Sequence, residues 1–370
     1  MKKLVALVIV LTLSLAIGVN ALALFENPVP KPDTIEIVGI NGDIAAWYTD
    51  LALTDEEIAK VREMGLKIAY EMPNESEFSE AVLAGLTKAC EEMNIEIVGL
   101  AVCENDPAVQ KENMENFLAI GPDYVISQAQ EVDMAAASFN ALRDAGIKLI
   151  FQGNYPTGYQ AGVDCLPIQY EDYASYGSLL ADELAAQLNY EGKVGAIIMS
   201  AVNQVANLRD NAFVDGMAKY ENIEVVEVSG IEQVSDAGTV ASAMLTRHPD
   251  LDGLYVTFVE PATEALEVIR GLNITDLKLV TNDFNSMAVL DMIQDGNVSA
   301  FAVDRPAAMG EMFAAIAAYD ALGKEYISST YLDPVNLAKL DNLEVEWKGG
   351  FAADLPEDLK TLLDARLAAE

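Results

Sequence analysis

The sequence predicts an α/β protein built from two similar doubly wound lobes, each with a parallel sheet. From residue 66 onward one unit recurs: a short apolar strand, a loop and an amphipathic helix. The apolar runs are continuous rather than alternating, which is typical of strands buried on both faces of a parallel sheet. The predicted strands are 66–70, 95–101, 123–127, 147–151, 193–199, 223–228, 253–258, 277–282 and 298–303.

The number of strands predicts the division into two lobes. Nine strands are too many for one ordinary doubly wound sheet, and residues 152–158 form a loop rich in Gly, Pro, Asn and Tyr between two similar halves. An additional segment, residues 33–65, precedes the repeat: residues 35–40 are predicted as a strand, and Thr54 to Glu57 form a capping box for a helix that ends near Gly65. Residues 330–370 are expected to add a strand-like segment and a final helix.

Residues 1–23 have the pattern of an export signal. Lys2 and Lys3 are followed by an apolar run to Val19 and by the small-x-small sequence Ala21-Leu22-Ala23. Cleavage there would leave residues 24–33 as a linker, and an uncleaved membrane anchor is the alternative. No cysteine follows the cleavage sequence, so a lipid-anchored form is not expected. The predicted location is the periplasm or the exterior of the cell.

The composition excludes several classes of function. The formal net charge of −37 repels phosphate backbones and anionic lipids, so nucleic acid and peripheral membrane partners are not expected. The single histidine, His248, weakens every mechanism that depends on histidine. The sequence shows no metal-ligand spacing and no nucleotide-binding glycine motif, so neither a metal nor a cofactor is expected. Cys90 and Cys103 are either a disulfide pair or, as the favoured interpretation, buried free thiols.

The candidate ligand site lies in the loops that follow the strands, because open parallel sheets bind ligands at the carboxyl ends of their strands. These loops are rich in carboxylates, amides and aromatic side chains, a mixture that suits a neutral polyhydroxyl ligand. Each such residue is alternatively a helix cap or a core residue. A secreted carbohydrate-active enzyme is the alternative function, with Glu131 paired with Asp283 or Asp304.

Several short motifs, in their order along residues 66 to about 322, carry a family resemblance. They include Ser76–Phe78 after the first strand, Gly121-Pro122-Asp123 before the third, Arg209-Asp210-Asn211-Ala212-Phe213, and Thr281-Asn282-Asp283. Asp304-Arg305-Pro306 completes the series. In this order and spacing they resemble the ribose-binding-protein type of periplasmic sugar-binding protein, which supplies substrate to ABC transporters.

The resemblance implies a type I periplasmic binding fold, with lobes joined by a three-crossover hinge and closing on a sugar. By position, Phe78 matches a ring-stacking aromatic, Glu131 and Asp283 match hydroxyl-binding aspartates, and Arg209 matches a ligand-binding arginine. Asp304 stands in place of a hinge-side amide. Phe258 stands where ribose binders have asparagine, and Gly153 where they often have aspartate, so Asn154 or Gln152 would take over that contact. The predicted ligand-binding residues are Ser76, Phe78, Glu131, Asn154, Arg209, Phe258, Asp283 and Asp304.

The resemblance also implies the organisation and partners of the chain. Residues 34–153 and 305–330 would form the N-terminal lobe, and residues 154–304 and 331–370 the C-terminal lobe. The protein would be a monomer without catalytic activity that binds a sugar or polyol and delivers it to an ABC permease. A receptor component for chemotaxis is an alternative. The departures from the ribose binders admit another pentose, a hexose, a polyol or an amino sugar as the ligand.

Overall fold

The computed structural model describes residues 24–25, 28–200 and 203–369. The predicted export signal, residues 1–23, lies outside this part of the chain. The strands are β1 (Ala46–Trp47), β2 (Lys67–Met72), β3 (Glu96–Val102), β4 (Tyr124–Ser127), β5 (Lys148–Phe151), β6 (Ile168–Tyr170), β7 (Gly192–Met199), β8 (Ile223–Ile231), β9 (Gly253–Val256), β10 (Lys278–Asn282), β11 (Val298–Val303), β12 (Thr330–Leu332) and β13 (Asn336–Ala338). The helices are α1 (Asp55–Arg62), α2 (Glu77–Met93), α3 (Pro107–Ile120), α4 (Ala136–Asp144), α5 (Tyr173–Gln187), α6 (Gln204–Met217), α7 (Ala237–Arg247), α8 (Val259–Gly271), α9 (Ser286–Ile293), α10 (Pro306–Ala321), α11 (Leu343–Phe351) and α12 (Glu357–Leu367).

Two lobes are organised around two sheets, and the α/β prediction is confirmed. The first sheet has the strand order β3-β2-β4-β5 and is entirely parallel. The second has the order β13-β11-β10-β9-β7-β8, in which only β13 is antiparallel to its neighbour. All nine strands expected from the apolar runs are present. Among the described helices, none is both long and apolar enough to span a membrane.

Glycines allow the closest helix contacts in each lobe. In the first lobe, a Cβ on Gly85 of α2 would lie 1.9 Å from the carbonyl oxygen of Ala307 in α10. In the second lobe, a Cβ on Gly177 of α5 would lie 2.0 Å from the carbonyl oxygen of Arg209 in α6. Both positions therefore require glycine, and the second one fixes the backbone that carries Arg209.

A third, small sheet connects the lobes. Its order is β1-β12-β6, and all its pairs are parallel. The chain passes between the two large sheets through β6, through the junction of β11 and α10, and through β12. The predicted lobe boundaries at residues 153, 304 and 330 stay predictions, and each lies in or beside one of these three connections.

The segment before the repeat packs on the first lobe and on the hinge. Trp47 and Tyr48 lie in the core of the first lobe rather than in the cleft. Asp43 accepts hydrogen bonds from the Ser329 backbone amide at 2.7 Å and from Ser328 Oγ at 2.9 Å. Because these serines lead directly into β12, the segment fastens one of the hinge connections.

Two local predictions differ in outcome. The helix that starts after Thr54 is confirmed, because the Glu57 amide donates to Thr54 Oγ1 at 3.3 Å and the Thr54 amide donates to Glu57 Oε2 at 2.8 Å. The strand predicted at 35–40 is wrong: only an isolated bridge joins Val38 to Ile44. The apolar side chains of this segment pack against the first lobe, but its backbone turns back on itself. The C-terminal region has two strands and two helices instead of one of each.

Candidate functional site

The three hinge connections each carry one buried acid. Glu171 follows β6, Asp304 lies between β11 and α10, and Asp333 follows β12. The exposed fractions of these residues are 2%, 5% and 2%. We call these three residues the hinge acids. Because the hinge connections run side by side, acids that are far apart in the sequence meet between the lobes.

Neutral donors hold two of the hinge acids together. Gln169 Nε2 donates to Glu171 Oε1 at 2.9 Å and to Asp333 Oδ1 at 3.0 Å. Tyr176 of α5 donates its hydroxyl to Glu171 Oε2 at 2.6 Å. No lysine or arginine of the described chain forms an ion pair with any hinge acid. The charge of this cluster is offset only in part, by Arg209, which lowers the pKa of Glu171 and Asp304 without an ion pair to either.

Arg209 and Asp283 form the wall contributed by the second lobe. Arg209 Nη1 lies 3.5 Å from Asp283 Oδ2, and the guanidinium lies over the ring of Tyr176 at 5.4 Å from its centroid. Asp283 follows β10 with a left-handed φ of 61°. This φ is uncommon for a residue other than glycine, so the backbone is strained at Asp283, where the loop after β10 begins.

The hinge environment raises the pKa of every acid in it. Burial, and then the negative charge of Asp333, raises the pKa of Glu171 to about 8. Burial, and then the charges of Glu171 and Asp283, holds the pKa of Asp304 well above its usual range. Burial also raises the pKa of Asp283, although Arg209 opposes this shift, and it raises that of Asp333. Uncompensated desolvation is thus the common cause.

Several buried polar atoms here have no hydrogen-bond partner. Native proteins rarely leave such groups unpaired, because each costs about 1–3 kcal/mol. Their concentration on one side of the cleft indicates that a ligand completes the site. In the part of the chain that the structure describes, the unpartnered atoms at the hinge and the Asp283 loop are Gln152 Oε1, Gln169 Oε1, Arg209 Nε, Asn282 Oδ1, Asp283 Oδ1, Arg305 Nε and Asp333 Oδ2.

The structure brings together three of the residues predicted from the sequence. Arg209, Asp283 and Asp304 lie within one electrostatic cluster: Arg209 and Asp283 each shift the pKa of the other, and both shift that of Asp304. Phe258 is half-buried at the start of α8, next to the loop that carries Asp283, because β9 and β10 are neighbours in the sheet. These residues stay predicted ligand contacts.

The other predicted residues have different surroundings. The Ser76 hydroxyl caps α2, accepting from the Ser79 amide at 3.2 Å, and Phe78 is half-buried against the core of the first lobe. Glu131 is exposed with a φ of 48°, and its side chain makes no hydrogen bond or ion pair within residues 28–200 and 203–369. Glu131 is also not among the groups that shift the pKa of Asp283 or Asp304.

Asn154, in the loop between β5 and β6, and Glu77, at the start of α2, both contact the second lobe. Asn154 Nδ2 donates to Asn203 Oδ1 at 3.0 Å, and the Val205 amide donates to Asn154 Oδ1 at 3.2 Å. At the other side of the cleft, Glu77 Oε1 accepts from the Ser286 amide and Oε2 from the Ser286 hydroxyl, both at 2.9 Å. These contacts hold the lobes in a closed arrangement, and Asn154 has both ends of its amide engaged.

Reasoning from the sequence missed Glu171, Gln169 and Asp333. The only local signal is that Glu171 and Asp333 each follow a strand of three residues, β6 and β12. Such short strands have no distinctive periodicity. Their proximity depends on the hinge crossing, which becomes visible only in three dimensions.

A separate cavity of about 430 Å³ lies at the opposite edge of the first lobe. It is lined by residues at the start of β5, including Lys148, and by Asn41 and Asp43 of the preceding segment. None of its described lining side chains has an unpartnered buried polar atom. The beginnings of parallel strands are also not where such sheets bind ligands. The cleft is therefore the better candidate site.

Metal and thiol chemistry find no support in the described residues. No group of three or more His, Cys, Asp or Glu side chains there is arranged to hold a metal ion. Cys90, Cys103 and Cys165 are all buried and unpaired, which agrees with the favoured interpretation of free thiols. Burial raises the pKa of each thiol to about 12, so the reactive thiolate form is disfavoured.

Comparison with known proteins gives consistent matches. The family model described as periplasmic binding protein domain matches residues 68–325. A D-ribose/D-allose-binding protein of Pseudomonas aeruginosa is 29% identical over 203 residues, which are 54% of this chain and 63% of that protein. The matched regions cover only 55% and 63% of the two curated relatives.

Solved structures share the fold. An ABC transporter solute-binding protein from Agrobacterium vitis, bound with α-D-tagatopyranose, has a TM-score of 0.70 at 20% identity, covering 77% of this chain and 98% of that one. A solute-binding protein from Bacillus halodurans with bound myo-inositol has a TM-score of 0.66 at 18% identity, covering 76% of this chain and 96% of that one.

Proposed function

The chain belongs to the periplasmic binding protein domain family, and we propose that it is an exported solute-binding protein that captures a sugar or polyol between its lobes. The observation that carries this proposal is the group of unpartnered buried polar atoms beside the hinge. A polyhydroxyl molecule offers both donors and acceptors to such atoms, and its enclosure would satisfy several of them together.

The lobe contacts support a mechanism of capture by closure. The ligand would touch Arg209 and Asp283 on the second lobe and the acids of the hinge. It would thereby stabilise the closed arrangement that Glu77 and Ser286 already complete. A ligand shifts such an equilibrium only through its preference for one state, and closure around it supplies that preference.

The chemical class of the ligand is also supported by the relatives. The Pseudomonas aeruginosa relative is named for ribose and allose, and the two solved structures hold tagatose and inositol. We propose a molecule of this size and polarity for this chain. Delivery to an ABC permease, after export directed by residues 1–23, completes the proposed function, and the protein returns its ligand chemically unchanged.

A thermal-shift screen tests the proposal. The chain without residues 1–23 is heated with pentoses, hexoses, polyols and amino sugars, each in excess. A ligand at a hundredfold over its dissociation constant should add about 2.7 kcal/mol of stability. A bound sugar recovered unchanged supports a binding protein. Turnover of a glycoside would instead support the enzyme alternative, and silence across the panel would contradict sugar or polyol capture.

A further inference from the structure

We propose that the solute carries a protonated amino group and that the hinge acids Glu171, Asp304 and Asp333 hold it. This inference rests on the proposed function, because it specifies the chemistry of the molecule captured in the same cleft. It distinguishes an aminated sugar or polyol from the neutral compounds bound in the solved structures of similar fold.

The first argument is charge. Five acids with raised pKa values, the hinge acids, Asp283 and Glu260, share the site with a single arginine, Arg209, which pairs with Asp283 at 3.5 Å. Arg305 is adjacent to Asp304 in the sequence, but its Nη2 pairs with Glu346 Oε2 at 2.9 Å on the other side of the hinge. A buried charge without a partner is strongly unfavourable, so the hinge acids require either bound protons or a cation.

A glycine leaves room for the Arg305 guanidinium. A Cβ on Gly349 would lie 1.0 Å from Arg305 Nη1, so the guanidinium occupies the space that any other residue at position 349 would fill. The ion pair with Glu346 holds the guanidinium in this space beside α11. Within the described residues, the hinge acids therefore have no arginine as an ion-pair partner, although Arg305 is adjacent to Asp304 in the sequence, because Arg305 pairs with Glu346 instead.

The second argument is the balance of donors and acceptors. Of the seven unpartnered atoms at the hinge and the Asp283 loop of the described chain, two are donors, Arg209 Nε and Arg305 Nε. The other five are acceptors: Gln152 Oε1, Gln169 Oε1, Asn282 Oδ1, Asp283 Oδ1 and Asp333 Oδ2. Gln152 and Gln169 are 4% and 0% exposed, and Gln169 already contacts two hinge acids through its amide nitrogen. An ammonium group has three donors and no acceptor, so it matches this excess.

The arrangement favours an organic cation over a metal ion. The described residues contain no set of acids arranged to hold a metal. The side-chain amide of Gln169 lies between Glu171 and Asp333 and donates to both from Nε2, so these carboxylates are spaced by an amide rather than by an ion. A charge-assisted hydrogen bond from an ammonium to Asp333 Oδ2 would use the free acceptor without displacing that amide.

The raised pKa of Glu171 agrees with this geometry. The pKa of Glu171 is raised to about 8 by burial and by Asp333, so the closed, ligand-free site favours bound protons near neutral pH. Tyr173, Tyr176, Arg209, Asp304 and Asp333 are the charged or titratable groups that influence it. A ligand ammonium would take the place of those protons as the positive charge of the cluster.

Matched ligand sets test the inference. Calorimetry measures the affinity for glucosamine, galactosamine and an amino-deoxy-inositol, each beside its hydroxyl parent and its N-acetylated form. These forms have similar shapes, but only the free amine carries a positive charge. We expect the amine of at least one set to bind about 10-fold to 100-fold more tightly than both neutral members, as charged hydrogen bonds do.

The outcomes separate the inference from the proposed function. If a neutral sugar or inositol binds as tightly as its amine in every set that responds, the amino-group inference is overturned and the proposed function stands. If no member of any set binds, sugar or polyol capture itself is contradicted, and the inference fails with it.

Isosteric variants locate the contact. Glu171→Gln and Asp333→Asn preserve shape and remove charge, so each should weaken binding of the amine about 10-fold or more and the neutral parent less than about threefold. Asp215→Asn is the matched control, because Asp215 is exposed on the same helix as Arg209. Equal losses for amine and parent in both hinge variants would contradict the assignment.

Discussion

Two buried acids, Glu71 in the first lobe and Asp333 at the hinge, have opposite hydrogen-bonding situations. Glu71 is 1% exposed, yet Gln110 Nε2 at 2.7 Å, Asn113 Nδ2 at 2.9 Å and Ser127 Oγ at 2.8 Å donate to its oxygens. Asp333 has one neutral donor and one oxygen without a partner. Burial alone therefore does not identify a binding site. A buried acid whose oxygens all accept hydrogen bonds stabilises the fold, whereas a buried acid with an unpartnered oxygen is a candidate ligand contact.

The second lobe also contains a buried acid whose oxygens are fully hydrogen-bonded, like Glu71. Asp210 accepts from the Met199 amide at 2.8 Å, from Tyr255 at 2.7 Å and from Thr257 at 3.0 Å. Like Glu71, it ties a strand end to a helix behind the cleft. Each lobe thus has a fully hydrogen-bonded acid behind the cleft, while the unpartnered carboxylate oxygens of Asp283 and Asp333 lie where the lobes join.

The largest expected effect is on stability and concerns Glu71, the fully hydrogen-bonded acid of the first lobe. Glu71→Ala should lower the free energy of unfolding by about 3 kcal/mol, because it leaves several buried donors without an acceptor. Urea denaturation measures the change, and ligand affinity of the folded variant should stay within about twofold. Glu75→Ala, at an exposed position just before α2, is the control. A loss no larger than in that control would show that the network around Glu71 does not hold the fold.

The next effect concerns the binding side. Arg209→Ala and Asp283→Ala should each weaken binding about 100-fold or more, because a buried ligand group would lose its partner. Circular dichroism should show an intact fold in both variants. Asp276→Ala, at an exposed position before β10, should bind normally. Normal affinity in both cleft variants would remove these residues from the site.

The sequence predicted the part of this architecture that depends on local patterns. Continuous apolar runs identified nine of the ten strands of the two large sheets, all except β13, and the capping box at Thr54 identified the start of α1. Arg209, Asp283 and Asp304 follow such patterns, because they lie beside long strands or helices. Glu171 and Asp333 do not, because their strands are three residues long and meet only through the hinge. A charge cluster assembled from three crossovers has no local signature.

A third test measures how protein stability depends on pH, because an acid with a raised pKa in the folded state makes stability fall as pH rises. The folded pKa of Glu171, about 8, lies above the unfolded value of about 4.3, so the folded state binds more protons between these values. Its stabilising contribution is complete below about pH 4.3 and is lost as pH rises to about 8. The ligand-free protein should therefore lose about 2 kcal/mol from this group between pH 6 and pH 8.

The variant Glu171→Gln isolates that contribution, because glutamine does not titrate. Its thermal unfolding midpoint should change less between pH 6 and pH 8 than that of the unaltered chain. Asp304, Asp333, Arg209 and Tyr176, which influence the pKa of Glu171, are left unchanged in this variant. An identical pH dependence in both proteins would mean that Glu171 does not bind a proton in the folded, ligand-free state.

The smallest expected effect lies at the edge of the cleft opposite the Asn154 contact. Glu77 is a satisfied acid whose partners belong to the other lobe, so its hydrogen bonds to Ser286 exist only when the lobes are closed. Glu77→Ala should weaken binding of the strongest ligand about 3-fold to 10-fold, mainly through faster dissociation, because the closed state alone loses stability. Stopped-flow dissociation measures this effect, and Glu80→Ala, exposed on the first turn of the same helix, is the control. Slower association with unchanged dissociation would instead place Glu77 in ligand entry. A hydrogen-bonded acid can therefore contribute to binding without contacting the ligand, provided that its hydrogen-bond partner lies on the other lobe.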